Sequence, residues 1–194
     1  MPTVANSDID IASRALVLIG AEPITSFTAQ STESTVANAI YEDMVRTTLC
    51  SSRWRFATNQ AELNLLTAVP TGRYDRAHQL PADLLMLHAV TVSDKIIEYN
   101  IYGDKVFSNS ASSDALIADY TFRANEQDWP SYFTIAVEYS LSVVFATSIA
   151  RDATLASLMK EQARESMAKA RSLDSQQQTS RKLTTSRFIA ERRS

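Results

Sequence analysis

Residues 51–60, SSRWRFATNQ, place Trp54 between Arg53 and Arg55, with Phe56 directly after them. Basic side chains that alternate with aromatic ones occur on surfaces that stack on nucleic-acid bases and hold phosphates. They also occur where an aromatic anchor is buried and its basic neighbours stay in water. On a helix, residues two apart point about 200° from each other, so the two rings cannot form one stacking platform there. We therefore interpret the stretch as a helix end that turns and buries both rings, leaving Arg53 and Arg55 near the negative end of the helix dipole.

Helical patterns lie on both sides of this stretch, with apolar residues recurring at helical spacing. Ser7 or Asp8 can cap the first helix. The 194 residues include only 3 glycines and 5 prolines, which also favours long helices. We expect helices over about residues 7–66 and 130–172, with residues 56–66 as a short continuation of the second helix.

The pattern changes in the middle of the chain, where about residues 70–125 have strand character. Residues 102–105, YGDK, stand between two short apolar and aromatic runs and predict a hairpin turn. Residues 115–124, ALIADYTFRA, alternate as in a half-buried strand. The sequence therefore predicts a mainly α fold: a helical bundle of about four helices with an inserted small antiparallel β module and an extended C-terminal arm. We expect residues 1–172 to form a single domain and residues 173–194 a flexible arm.

The segment after Leu173 differs from the rest of the chain in composition. It is rich in Gln, Ser and Thr, and its five basic side chains against two acidic ones give it a net charge of +3. Such a segment buries too little apolar area to offset its ordering entropy, so we expect it to become ordered on a partner. Its basic side chains suit nucleic acid, but we favour docking into a protein groove, because its isolated apolar pair can serve as an anchor. The residues expected to dock are Arg181, Lys182, Arg187, Phe188, Ile189, Arg192 and Arg193.

Side chains that could carry chemistry are few and scattered. The sequence contains no glycine-rich phosphate loop, no H-E-x-x-H and no G-x-S-x-G. His78 and His88 have no cysteine pair to complete a metal site, so we interpret them as a polar loop histidine and a partly buried one. The single cysteine, Cys50, ends an apolar stripe and is interpreted as a small buried hydrophobe. Glu42 and Asp43 are interpreted as a solvated helix face. We therefore expect no cofactor, no metal and no enzymatic activity.

The overall charge and the N-terminal pattern restrict the class of protein further. The formal net charge of −3 argues against a basic nucleic-acid binder as a whole. The N-terminus lacks the cationic and apolar regions of a signal peptide, and no apolar run approaches the roughly 20 residues of a membrane span. We expect a protein made in a reducing cytosol or released from a cell by lysis.

Four stretches occur in an order that matches a known family. They read ALVLIGAEPITSF (residues 15–27), YEDMVRTTLCSSRWRFAT (41–58), YDRAHQLPADLLML (74–87) and ADYTFRANEQDWPSYFTIAVEYSLSVVFA (118–146). Together they resemble the tail tubular protein A family, the head-to-tail adaptors of short-tailed bacteriophages. The resemblance covers roughly residues 7–172, and it rests on the joint order of the stretches, because none of them is a catalytic motif. The positions that match the family's structural patterns are Trp54, Phe56 and Ala57 (W-x-F-A), Leu80, Pro81 and Asp83 (L-P-x-D), Tyr120, Trp129 and Pro130.

The resemblance implies a structural role in the virion. Family members form a ring of twelve copies beneath the portal protein, at the junction of head and tail. The ring extends the channel through which genomic DNA passes without sequence-specific binding, and it supports the tail nozzle and the tail fibres or spikes. Assembly takes place in the host cytoplasm, and the C-terminal segment reaches the portal.

Two other functions remain open at this stage: a virion-associated cell-wall hydrolase and a small nucleic-acid-binding protein that uses the basic tail. The adaptor interpretation carries an expectation for residues 51–60. Trp54→Ala is expected to loosen the folded body, whereas Arg53→Ala or Arg55→Ala is expected to disturb contacts between subunits or with the channel.

Overall fold

The computed structural model describes residues 7–68, 70 and 72–177. It contains four helices and two four-stranded antiparallel sheets, and 46% of its residues are helical and 21% are in strands. The fold is therefore α+β. The prediction of a mainly α bundle with a small inserted β module is wrong, because the strands begin before the expected module and build two sheets rather than one small one.

The helices begin at side chains that satisfy their free N–H groups. Ser7 Oγ accepts a hydrogen bond from the backbone N–H of Asp10, and Asp152 accepts from those of Thr154 and Leu155, so polar caps start the first and last helices. The helices are α1 (Asp8–Leu18), α2 (Thr32–Cys50), α3 (Ser131–Ser148) and α4 (Ala153–Gln176).

The chain passes back and forth between two sheets, and its inner strands enter each sheet in consecutive pairs. Sheet A has the order β1-β8-β4-β5 and sheet B the order β2-β3-β7-β6. The strands are β1 (Thr58–Glu62), β2 (Asn64–Leu65), β3 (Arg76–Gln79), β4 (Leu84–Val92), β5 (Lys95–Ile96), β6 (Tyr99–Tyr102), β7 (Lys105–Ser108) and β8 (Ile117–Phe122).

Strands β1 and β2 replace the expected continuation of the second helix. Helix α2 ends at Cys50, and β1 pairs along its whole length with β8, so that Gln60 lies opposite Asp119. The β1 sequence, TNQAE, is polar and lies at a sheet edge, so it shows no alternation of apolar residues. Its strand conformation comes from pairing with a segment almost 60 residues away, which local sequence does not reveal.

The predicted hairpin is confirmed. Strands β6 and β7 pair with Tyr102 opposite Lys105, so Gly103 and Asp104 form a two-residue turn. Gly103 has φ +63°, a left-handed conformation that glycine adopts without steric cost. A second two-residue turn, Ser93 and Asp94, joins β4 to β5 with both residues at positive φ.

Two hydrophobic clusters form the interior. The helical core lies among α1, α2, α3 and α4 and includes Trp54 and Phe133, while the sheet core includes Val90 and Val106. Phe122, the last residue of β8, packs against both clusters and connects them.

The end of α4 changes the expected limit of the C-terminal arm. The helix continues through residues 173–176, which were assigned to the arm, and Asp174 is buried within it. The arm residues expected to dock on a partner lie outside the described residues. They are Arg181, Lys182, Arg187, Phe188, Ile189, Arg192 and Arg193.

Candidate functional site

An aromatic joint connects the helices to the strands, and Phe133 in the first turn of α3 is its centre. The Phe133 ring centroid lies 5.0 Å from that of Trp54, 4.8 Å from that of Phe56 and 4.9 Å from that of Trp129. All three pairs are edge-to-face, an arrangement that adds attraction to the burial of large apolar area. The aromatic joint, meaning these four rings, therefore fixes the chain after α2 against the chain before α3.

Trp54 is placed by the end of α2. Its Nε1–H donates at 2.9 Å to the Thr48 carbonyl in the last turn of α2, which also accepts from the N–H and the hydroxyl of Ser51. Trp54 itself is extended, and a short 3₁₀ turn, Arg55–Ala57, follows it. This geometry directs the Trp54 and Phe56 rings into the same core, where Trp54 is 0% exposed. The expected burial of Trp54 is confirmed, although the turn that achieves it leads into β1 rather than into more helix.

Trp129 is placed by the chain that leaves β8. Its Nε1–H donates to the Ala124 carbonyl at 3.0 Å, and the Arg123 guanidinium lies over its ring, 5.6 Å from the centroid. Pro130 follows as the N-cap residue of α3, and its carbonyl accepts from the N–H of Phe133. The tryptophan thus ties the end of sheet A to the start of the helix.

The L-P-x-D residues form the turn between β3 and β4. The Leu80 N–H donates to the Asp104 carbonyl at 3.0 Å, which fastens this turn to the hairpin in sheet B. The Tyr120 hydroxyl donates to Asp83 Oδ1 at 3.2 Å, and the Asp83 carbonyl accepts from the N–H of Arg123. Burial raises the pKa of Tyr120, and the negative charge of Asp83 raises it further. Within the turn, the Pro81 carbonyl accepts from the N–H of Leu84. The turn therefore holds the two sheets and the exit from β8 together.

A charge cluster surrounds Arg123, and the sequence did not predict it. The Arg123 guanidinium bonds both carboxylate oxygens of Glu42 and, at 2.6 Å, the carboxylate of Glu126. Glu42 also pairs with Arg46, and Glu126 accepts from the Tyr41 hydroxyl at 3.2 Å. Glu42 and Asp43 are exposed on α2, as expected of a solvated helix face, and the Glu42 carboxylate is in addition paired with two arginines. Residues 42 and 123 are 81 positions apart, and no local pattern connects them.

The pKa values in this cluster follow from its contacts. Partial burial acts to raise the pKa of Glu42, but the hydrogen bonds from Arg123 and Arg46 outweigh it and lower the pKa below the ordinary value. Burial raises the pKa of the Tyr41 phenol, and the neighbouring Glu126 charge raises it further. Near neutral pH, Glu42 therefore stays charged and Tyr41 stays neutral, so the hydrogen bonds of the cluster are kept.

Residues 51–60 also line an open polar groove beside β1. The groove has a volume of about 630 Å³ and is lined by Arg53, Arg55, Thr58, Asn59, Gln60 and Asp119. Arg53 forms an ion pair with Asp119 of β8. The expected position of the arginines at the dipole of α2 is wrong, because α2 ends at Cys50 and both side chains bond to other elements. Arg53 pairs with Asp119 of β8, and the Arg55 Nε–H donates to the backbone carbonyl of Asp174 in α4. A nucleic acid would have to compete with Asp119 for Arg53.

A polar latch, formed by Arg55, Tyr132 and Asp174, fastens the end of α4. The Asp174 carboxylate accepts from the backbone N–H of Arg55 at 3.2 Å and from the Tyr132 hydroxyl at 2.9 Å. The Arg55 Nε–H donates to the Asp174 carbonyl at 3.1 Å. Burial, followed by the hydrogen bond to Asp174, raises the pKa of Tyr132 to about 12. The latch joins three segments that are far apart in sequence.

An apolar groove runs between α3 and α4 on the surface. Its volume is about 470 Å³. Ile135 is 46% exposed there, Leu173 is also exposed, and Glu165 and Lys169 stand beside them. We call this the α3–α4 groove; its lining residues are Ser131, Tyr132, Ile135, Tyr139, Gln162, Glu165, Ser166, Lys169, Ala170 and Leu173.

A second apolar surface lies at the end of the β6–β7 hairpin. Ile101 is 48% exposed and Tyr102 is 52% exposed. The Tyr102 ring packs on Phe107, with 5.1 Å between the centroids. We call residues 101–105 the hairpin tip. Neither this surface nor the α3–α4 groove was predicted, since each combines residues that local periodicity assigns to ordinary amphipathic elements.

The two histidines lie on strands β3 and β4, and the cysteine is the last residue of α2. His78 lies buried in β3 rather than in a loop, and its pKa is lowered by burial and by Arg76. His88 shares a hydrogen bond with Thr121, and burial, followed by the charge of Arg53, lowers its pKa. Burial raises the pKa of the half-buried Cys50 thiol. Across residues 7–68, 70 and 72–177, no group of three or more His, Cys, Asp or Glu side chains is placed to hold a metal ion.

In comparisons with known proteins, no protein-family model and no curated protein matches this chain. Within the part of the chain that the structure describes, no helix is both long and apolar enough to cross a membrane.

Proposed function

We propose that this chain is a structural head-to-tail adaptor of a short-tailed bacteriophage. It would form a ring of twelve copies under the portal, extend the DNA channel and support the nozzle and the fibres or spikes. The observation that carries the proposal is that the residues of the resemblance meet one another. Trp54, Phe56 and Trp129 surround Phe133. Asp83 accepts the Tyr120 hydroxyl.

This convergence supports a scaffold rather than a reaction centre. The matched aromatic side chains are occupied by packing, and the indole N–H groups donate to backbone carbonyls. Residues used in this way hold helices and sheets in a fixed relation, which a spacer between two larger assemblies requires. The proposal uses the observed α+β fold, not the predicted mainly α bundle, and these contacts are part of that fold.

The charge distribution also supports an assembly role. The segment after Leu173 carries a net charge of +3, while the chain as a whole carries −3. A body with excess negative charge repels DNA phosphates and favours sliding of the duplex over binding. The basic tail would then serve for docking on the portal, through the arm residues named above.

The test is to mix the full chain with the purified portal protein of the virus that encodes it. We expect a complex with twelve adaptor copies, measured by native mass spectrometry and seen as a ring by electron microscopy. Failure of the full chain to bind the portal would contradict the adaptor function.

A truncation after Gln177 tests the arm separately. This cut keeps Asp174 and the polar latch, so the body is expected to keep its unfolding midpoint while losing portal binding. A matched variant, Phe188→Ser with Ile189→Ser in the full chain, distinguishes apolar anchoring from the loss of the basic charges. If the truncated chain binds the portal with full affinity, the arm does not mediate docking.

A further inference from the structure

The hairpin tip and the α3–α4 groove are two apolar surfaces on different elements of one chain. The groove is concave and lies between two helices. The tip is convex and ends in the two-residue turn of Gly103 and Asp104. Exposed apolar surface of this kind marks an interaction site more often when it is contiguous and rimmed by polar groups, as the groove is.

The side chains of the tip match the walls of the groove. Ile101 and Tyr102 are consecutive in β6, so they point to opposite faces of the hairpin. A hairpin end that enters between two helices therefore presents one apolar side chain to each helix. In the groove, Ile135 comes from α3 and Leu173 from α4.

The charges of the two surfaces also match. The tip carries Asp104 and Lys105 next to each other, and the groove carries Glu165 and Lys169 one helical turn apart. Each surface therefore carries one acidic and one basic side chain, so that opposite charges are available for pairing in one orientation. Such complementarity selects the partner and the register more than it adds affinity.

The tip is already rigid before it binds. The Asp104 carbonyl accepts from the Leu80 N–H at 3.0 Å and from the Gln79 side-chain amide at 3.0 Å. Tyr102 is held against Phe107. A surface ordered in advance loses little conformational entropy on association.

We infer that the hairpin tip of one copy docks into the α3–α4 groove of a second copy of this chain. Because the two surfaces differ, the contact is heterologous: each copy offers one tip and one groove, and repetition gives a ring or a filament. The inference rests on the self-assembly contained in the proposed function, and it names the two surfaces that meet.

Two surface variants of the full chain test this pairing. The tip variant is Ile101→Ser with Tyr102→Ser, and the groove variant is Ile135→Ser with Leu173→Ser. All four side chains are exposed, so each variant is expected to keep the wild-type circular dichroism spectrum. Each variant alone should self-associate about tenfold more weakly than the wild type, because truncating residues at the centre of an interface has an effect of this size. Sedimentation velocity over a concentration series measures the association. Val17→Ser, at an exposed apolar residue of α1, is the matched control and should leave self-association unchanged.

A mixture of the two variants gives a sharper result. The tip variant keeps its groove and the groove variant keeps its tip, so the mixture is expected to form a 1:1 heterodimer that does not grow. If the mixture behaves like the separate variants, or if either variant assembles like the wild type, the pairing is wrong.

Crosslinking identifies the surfaces directly. A photoreactive amino acid replaces Tyr102 in unlabelled protein, which is mixed with ¹⁵N-labelled wild-type chain, alone at high concentration and with the portal protein. Adducts between copies within residues 131–139 or 162–173 are expected. Three results would overturn the inference: adducts only to residues 178–194, adducts only within one copy, or no adducts in either mixture. Portal binding with no such adduct would refute the pairing but not the adaptor function.

Discussion

Glu138 is a carboxylate enclosed where α3 packs on α1. It is 8% exposed, and its Oε1 has no hydrogen-bond partner among the described residues. One turn later, the Ser142 hydroxyl donates to the Ala15 carbonyl at 3.1 Å, which ties the two helices together. Burial raises the pKa of Glu138, and the positive charge of Arg14 offsets this only in part. Folding therefore shifts the equilibrium of Glu138 toward the neutral acid relative to the unfolded chain.

Glu138→Gln is expected to stabilise the protein at pH 7 by about 1 kcal/mol, because an amide is buried at lower cost than a carboxylate. Since the folded pKa is above the unfolded value, the wild type gains stability as pH falls through the folded pKa toward the unfolded one. The advantage of the variant should therefore shrink as pH falls and disappear below about pH 4, where the acid is neutral in both states. Urea unfolding at several pH values measures this difference.

Glu161→Gln is the matched control for this pH series. Glu161 is exposed on α4, so its replacement is expected to change stability little at any pH. An advantage of Glu138→Gln that grows toward low pH would contradict the assignment of Glu138 as a buried group with a raised pKa.

Among the structural elements, α4 depends on the polar latch for the position of its last turns. Asp174→Asn keeps the size of the side chain but removes the charge that accepts from Arg55 and Tyr132. We expect a loss of about 1–3 kcal/mol in the stability of these turns, since two partly buried hydrogen bonds lose their charged acceptor. Hydrogen exchange should become faster in residues 170–177 and stay unchanged in α1. Asp43→Asn, at an exposed position on α2, is the control; equal protection of residues 170–177 in both variants would show that the latch does not hold the helix.

The sequence predicted the helices and the hairpin because their signals are local. Capping side chains and apolar spacing predict α1, and the YGDK turn predicts β6 and β7. It did not predict β1, whose polar residues become a strand only by pairing with β8. The same limit applies to the polar latch, since Arg55 and Asp174 are 119 residues apart. Periodicity describes one element at a time, so contacts between distant elements are not visible to it.

Among the described residues, Phe122 is the side chain that packs against both the helical core and the sheet core. Phe122→Ala is expected to cost less than the roughly 3–5 kcal/mol of a fully buried ring, because Phe122 is only partly buried. Its larger effect should be on cooperativity. Trp54 and Trp129 both belong to the helical core, so their fluorescence reports on that core alone. In urea, fluorescence and far-ultraviolet circular dichroism should give one transition for the wild type and separate transitions for the variant.

Phe107→Ala is the control for this experiment. Phe107 lies in β7 and packs on Tyr102, on the opposite face from buried Val106. Its replacement should leave the two probes coincident. Coincident transitions in Phe122→Ala as well would mean that other contacts, and not this ring, couple the two cores.

The polar latch has a consequence for how this chain can diverge. The Asp174 carboxylate accepts one hydrogen bond from a side chain, the Tyr132 hydroxyl, and another from the main chain, the backbone N–H of residue 55. A backbone donor is present whatever side chain follows it, with proline as the exception. Mutational drift at position 55 is therefore tolerated for this bond, while selection acts on the aspartate at 174. The Arg55 side chain makes a separate hydrogen bond to the Asp174 carbonyl, so a change of residue 55 would loosen the latch without removing this backbone bond.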